Sequence, residues 1–184
     1  MKTKHSIHSF RNNYWRYITS FIIVFGIASL ALAQIAPAKS AEPTDSGWTG
    51  RVVGITDGDT VTVLTAHNEQ VKVRLYGIDC PEKKQAYGSK AKQFMSSLVF
   101  GCDVVVVPTG KDLYGRTIGK IFHEGRDIGL AMIASGHAWW YRQYAKKETD
   151  YKKAQEKAQK QQLGLWADPK PIEPSKFRKM KKEQ

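Results

Sequence analysis

The sequence predicts a small α+β domain, mainly β with about three helices added, in which five short strands enclose one core. Three observations predict it. Apolar and polar residues alternate in short runs over 60–65 (TVTVLT) and 70–76 (QVKVRLY). An Asp57-Gly58 turn signal separates the first of these runs from an apolar run before it. Beyond residue 86 the apolar period lengthens from two residues to a helical one.

Residues 51–56 (RVVGIT) read as the first strand, ending at Asp57-Gly58. The second strand, 60–65, places Val61 and Val63 on one face. A His67-Asn68-Glu69 turn leads to the third, 70–76, with Val71, Val73 and Leu75 on one side and Lys72 and Arg74 on the other. Tyr87, Ala91, Phe94, Met95 and Leu98 then fall on one face of an amphipathic helix that stops at Gly101. Val104–Val107 is short enough for a buried fourth strand, and 117–123 (TIGKIFH) makes a fifth. Residues 127–135 suggest a short buried helix, with Asp127 as N-cap and Gly136 as stop. A last helix over 148–163 carries a thin stripe of Tyr151, Ala154 and Ala158, with Glu148–Lys152 and Glu156–Lys160 as supporting pairs. Five strands with a helix between the third and fourth match an OB-type Greek-key barrel, an architecture that does not by itself assign a function.

Charge narrows the partner class. The 184 residues carry 29 Lys and Arg against 17 Asp and Glu, a formal net charge of +12, which points to a polyanion. A hydrophobic content of 41% is too low for a polytopic membrane protein, and two cysteines are too few for a disulfide-built miniprotein. Five Trp, eight Tyr and seven Phe argue against a disordered chain.

The ends differ from the core. Residues 1–33 hold four bases and no acid, and 18–33 are apolar with small residues at Ala31 and Ala33, the pattern of a secretory signal peptide. An uncleaved membrane anchor is the alternative, although the run is short for a bilayer span. The expected location is therefore secreted or periplasmic. Residues 34–49, rich in Ala, Pro and Ser, read as a linker, and 50–168 as the folded domain. Residues 169–184 hold six bases and two acids, with Pro169, Pro171 and Pro174 against a regular helix, and read as a basic flexible tail.

Within the core, Asp59 follows the first turn and Asp79 follows the third strand. Antiparallel pairing of strands two and three brings the start of one to the end of the other, so these carboxylates can converge and suit a hard cation such as Ca²⁺. Ordinary turn chemistry explains either one alone. Glu82, three residues beyond Asp79, could orient or deprotonate a water, or be an exposed acid beside Lys83 and Lys84. Arg74 and Arg116 could hold phosphate oxygens, or be surface arginines. His67, His123 and His137 are isolated, and no Gly-x-Ser-x-Gly, Walker loop or Cys-x-x-Cys occurs. Cys80 and Cys102 could pair or remain free thiols.

Four segments occur in order: Asp57-Gly58-Asp59-Thr60-Val61, Arg74 to Glu82 (RLYGIDCPE), Asp112 to Arg116 (DLYGR) and Gly164-Leu165-Trp166. Together they make residues 50–167 resemble the staphylococcal nuclease (thermonuclease-like) family. The resemblance implies Asp59, Asp79 and the Cys80 backbone carbonyl as Ca²⁺ ligands. It implies Glu82 as general base or water positioner, and Arg74 and Arg116 as the arginines that stabilise the transition state. Tyr114 and Tyr144 match aromatic positions near the bound nucleotide. DNA and RNA are the implied substrates, cut to 3′-phosphate and 5′-hydroxyl ends. The chain is expected to act as a monomer that needs no membrane partner once processed. Two features depart from the family's best-known member and bear on substrate preference: a shorter stretch after Glu82 (KKQAYG), and Arg142 in place of a tyrosine.

The expectation is a Ca²⁺-dependent, largely sequence-nonspecific endonuclease. The alternative is a noncatalytic OB-fold nucleic-acid-binding module. That reading leaves unexplained why Asp59, Asp79 and Glu82 gather where a polyanion would bind, since without a cation they would repel it. A membrane-surface protein using its basic ends would leave the ordered motifs without a role.

Overall fold

The computed structural model describes residues 47–183. The expected leader, 1–33, and nearly all of the expected linker lie outside the described residues.

Strand β1 (Trp48–Ile55) runs into β2 (Thr60–Thr65) through the Asp57-Gly58 turn, and β2 pairs antiparallel with β3 (Gln70–Leu75). A two-residue strand β4 (Ile78–Asp79) follows, then helix α1 (Gly88–Val99). Strand β5 (Asp103–Lys111) pairs antiparallel with β1, and β6 (Thr117–His123) with β5. Parallel pairing of β6 with β3 closes the five long strands into a barrel with no open edge. Beyond it lie β7 (Arg126–Asp127), helix α2 (Ile128–Ala134), β8 (Trp139–Trp140) paired with β4, and helix α3 (Thr149–Lys160). A 3-10 turn over Gly164–Ala167 and helix α4 (Pro174–Lys182) complete the described chain. This is the expected OB-type barrel with helices, with four α-helices among the described residues where about three were expected.

Alternation fills the barrel. Val52, Val61, Val63, Val73, Leu75, Val104, Val106 and Ile121 are buried, while Lys72 is exposed. Helix α1 turns Ala91, Met95 and Val99 to the same core. Asp127 caps α2 as expected, accepting a hydrogen bond from the Leu130 amide at 3.0 Å, and Gly136 takes a left-handed φ of 72° after the helix.

Four details correct the sequence expectation. Strand β1 begins at Trp48, because Trp48 and Thr49 pair with Val106 and Val105. Strand β5 runs past its valines to Lys111, and a register shift between Pro108 and Gly110 accommodates the proline. On α3 the ion pairs are Lys152–Glu156 and Lys153–Asp150, whereas Glu148 reaches across to Lys120 at 2.9 Å. The supposed flexible tail carries α4: Pro174 stands at the helix start, where its missing N–H costs no intrahelical bond.

Candidate active site

The barrel closure assembles the charged residues. Thr60 pairs with Arg74 across β2 and β3, and the Leu75 amide extends the ladder by donating to the Asp59 carbonyl at 2.8 Å. Asp59 thus stands just before β2, beside the end of β3. Gly58 makes this approach possible: a Cβ there would lie 2.8 Å from the Cys80 Cβ and 2.9 Å from the Ala91 Cβ. Asp79 returns to the same place on β4, which is held by its pairing with β8 (Asp79 opposite Trp139).

Arg74 joins the two acids. Its Nη1 donates to Asp59 Oδ1 at 2.6 Å and its Nη2 to Asp79 Oδ1 at 3.1 Å. The Cys80 amide donates to Asp59 Oδ2 at 3.0 Å and the Thr60 hydroxyl to Asp59 Oδ1 at 3.1 Å. Both carboxylates are buried. Burial opposes the Arg74 charge, and the neighbouring Asp59 and Asp79 outweigh it, raising Arg74 above its ordinary value. Burial likewise lifts the Asp79 carboxyl, against the opposing pull of Arg178. Asp57 is pushed up to about 6, first by burial and then by the charge of Asp59.

Glu82 lies on the loop between β4 and α1. Its amide donates to Gln85 Oε1 at 3.1 Å and its carbonyl accepts from the Gln85 amide at 2.8 Å. Gly88 lets the first residue of α1 press on that loop, since a Cβ there would collide with the Glu82 carbonyl. Arg116 arrives from the β5–β6 turn. Asp112 folds that turn by accepting from the Tyr114 and Arg116 amides, and Arg116 Nε donates to Asp112 Oδ2 at 2.6 Å. Because Val73 lies opposite Thr117 in the parallel pair, Arg116 sits at the mouth beside β3, with Nη1 3.5 Å from the Thr60 hydroxyl.

Sequence reasoning missed the residue that completes this network. Arg178, on α4, donates from Nη1 to Asp79 Oδ1 (3.1 Å) and to Glu82 Oε1 (2.7 Å), and from Nη2 to Asp79 Oδ2 (2.9 Å). Asp59, Arg74, Asp79, Glu82 and Arg116 are therefore linked in one chain of contacts through Thr60 and Arg178. Tyr114 and Tyr144 stand apart, 85% and 62% exposed. Arg116 lies over the Tyr114 ring at 5.6 Å, and Tyr144 meets Tyr141 edge to face at 4.8 Å. Tyr141 was also missed; burial, then the charge of Asp79, pushes its phenol up. Cys80 and Cys102 are free thiols, and it is the Cys80 amide that reaches Asp59.

The donor set fits a hard cation in kind. Asp59 and Asp79 offer buried carboxylate oxygens. Among the described residues no group of three His, Cys, Asp or Glu stands as a metal cluster. Arg74 and Arg178 occupy the Asp79 oxygens instead.

The site is thus a cluster of paired arginines and carboxylates at the mouth of a closed OB-type barrel. The family model described as "Staphylococcal nuclease homologue" matches residues 72–168, and the chain belongs to that family. It is 43% identical over 165 residues to a protein of Haemophilus influenzae described as an uncharacterized endonuclease, covering 90% of this chain and 85% of that one. It is 38% identical over 168 residues to a protein of Shigella flexneri described as micrococcal nuclease, covering 84% of this chain and 96% of that one. A protein of Escherichia coli described as protein ParB is 36% identical over 159 residues, covering 81% of this chain and 89% of that one. The protein is a nuclease, an endonuclease acting on nucleic acid.

Proposed function

We propose that the protein is a Ca²⁺-dependent, largely sequence-nonspecific endonuclease that cuts DNA and RNA to 3′-phosphate and 5′-hydroxyl ends. The observation that carries this reading is the convergence of Asp59 and Asp79 on Arg74 at 2.6 and 3.1 Å, with Glu82 tied to the same cluster. Asp59 and Asp79 would hold the metal. The chemistry a Ca²⁺ held there would supply is Lewis-acid polarisation of the phosphate. Glu82 orients a water and takes its proton at a carboxylate oxygen. Arg74 and Arg116 donate to the phosphate oxygens and neutralise the charge that builds on them. Tyr114 and Tyr144, both exposed, offer stacking faces to bases. Contacts directed at phosphate and sugar give little sequence preference.

The basic and then apolar leader supports export to a secreted or periplasmic location. N-terminal sequencing of exported protein checks this point: a chain beginning beyond residue 33 supports it, and one beginning at Met1 refutes it.

Competing DNA and RNA oligonucleotides, with end analysis of the products, test the reaction. The expected products carry 3′-phosphates from both substrates. Products with 5′-phosphate ends would contradict the assignment of the leaving group.

A further inference from the structure

Helix α4 lies beyond the part of the chain that the family model matches, residues 72–168, yet it places a guanidinium on the carboxylates that would hold the cation. Asp79 accepts three N–H bonds at its two oxygens, one from Arg74 and two from Arg178. Asp59 accepts from Arg74, Thr60 and Cys80. A carboxylate has about four lone-pair positions, so Asp79 has little capacity left for a metal while Arg178 is bound. A divalent ion beside that guanidinium would also meet a like charge at close range.

The attachment of α4 is light. Of its residues only Pro174 is buried, and the Arg178 side chain is 38% exposed. Between the helix and the Glu82 loop runs an open groove of about 500 Å³, lined by Lys83, Lys84, Phe177, Lys181 and Lys182. The polar ties across it are Arg178 itself and Gln85 Nε2 donating to the Ile172 carbonyl at 2.7 Å. A helix held this way can leave without opening the barrel core, and the lysines around the groove favour the approach of a polyanion.

We infer that Arg178 is an internal cation that latches α4 over the active site, and that Ca²⁺ must displace it from Asp79 and Glu82 before the site can work. The inference rests on the calcium reading above. Latched, the protein holds its carboxylates neutralised and Glu82 engaged. With Ca²⁺ on Asp59 and Asp79, Arg178 loses both of its bonds to Asp79 and is repelled by the ion from Glu82, α4 detaches, and Glu82 is free to meet a water.

Two measurements on the full chain test this. Calorimetric titration with Ca²⁺ compares the unmodified protein with Arg178→Gln and with Lys179→Gln, which removes an exposed charge of the same helix. Arg178→Gln is expected to bind Ca²⁺ about tenfold more tightly or better, and Lys179→Gln as the unmodified protein does. Amide hydrogen exchange across 174–182 in the unmodified protein is expected to accelerate when Ca²⁺ is added. Equal or weaker Ca²⁺ binding by Arg178→Gln, equal tightening by Lys179→Gln, or exchange in α4 that ignores Ca²⁺ would overturn the latch and leave the calcium reading standing. Absence of Ca²⁺ binding in all three proteins would overturn both.

Discussion

Arg178 Nη1 donates to Glu82 Oε1 at 2.7 Å across 96 positions of the chain. The same guanidinium grips both oxygens of Asp79. One basic residue outside the matched family region thus touches the expected general base and an expected metal ligand at once.

Glu82→Gln keeps the size of the side chain and removes its capacity to take a proton. Turnover should fall by about 10²–10⁴, the usual contribution of a positioned acid–base group, with substrate binding little changed. Steady-state kinetics with separate kcat and KM checks this. Near-normal kcat would remove Glu82 from the chemistry.

Arg74 is the shared partner of two buried carboxylates, with Asp59 and Asp79 only 6% and 4% exposed at their side chains. Removing one partner of a buried ion pair leaves uncompensated charge. Arg74→Met should therefore cost metal-free protein on the order of 3 kcal/mol. Added Ca²⁺ should restore part of that loss by neutralising the same oxygens. Urea unfolding with and without Ca²⁺ measures both effects, and an unchanged midpoint in the metal-free variant would contradict this role for Arg74.

Much of this molecule was legible in its sequence. The barrel strands announced themselves through alternation, as at Val61, Val63 and Val73, because one face of each is buried. Asp59 and Asp79 could be brought together from strand pairing alone. The pair β4–β8 has two residues per strand, too few to leave a period. Asp57 passed as turn chemistry because its raised pKa depends on burial and on Asp59 once both are folded. Pro174 suggested an interrupted tail, whereas at the first position of a helix proline is compatible with helix formation. Arg178 left no local trace, since its partners are set by tertiary contact.

Tyr151 ties α3 to the cap of α2. Its hydroxyl donates to Asp127 at 3.0 and 2.9 Å, and Asp127 in turn accepts from the Leu130 amide. Burial first, then the Asp127 charge, pushes the phenol far up. Tyr151→Phe should cost about 1.5–3 kcal/mol, as for a hydrogen bond to a charged group. Denaturant unfolding provides the check; a loss within error would mean that this bond adds nothing to stability.

His137 stacks on Phe94, with ring centroids 4.1 Å apart. Burial lowers its pKa below the ordinary 6.5, outweighing a hydrogen bond to Ser135 that favours the charged form. The folded state therefore favours neutral imidazole. Its contribution to stability is present above pH 6.5 and is lost as pH falls from there through the lower folded-state value. Thermal unfolding between pH 7.5 and 5 should show a decline that is smaller in His137→Gln. Identical pH profiles for the two proteins would refute this role for His137.

In the function proposed above, the carboxylates at the barrel mouth work with Ca²⁺ to cut nucleic acid. Incubating plasmid and single-stranded DNA with the full chain in Ca²⁺, and again after complete chelation, tests it most directly. Cleavage of both substrates in Ca²⁺ and intact substrates under chelator are the predicted result. Cleavage that survives chelation, or binding without cleavage in Ca²⁺, would contradict it.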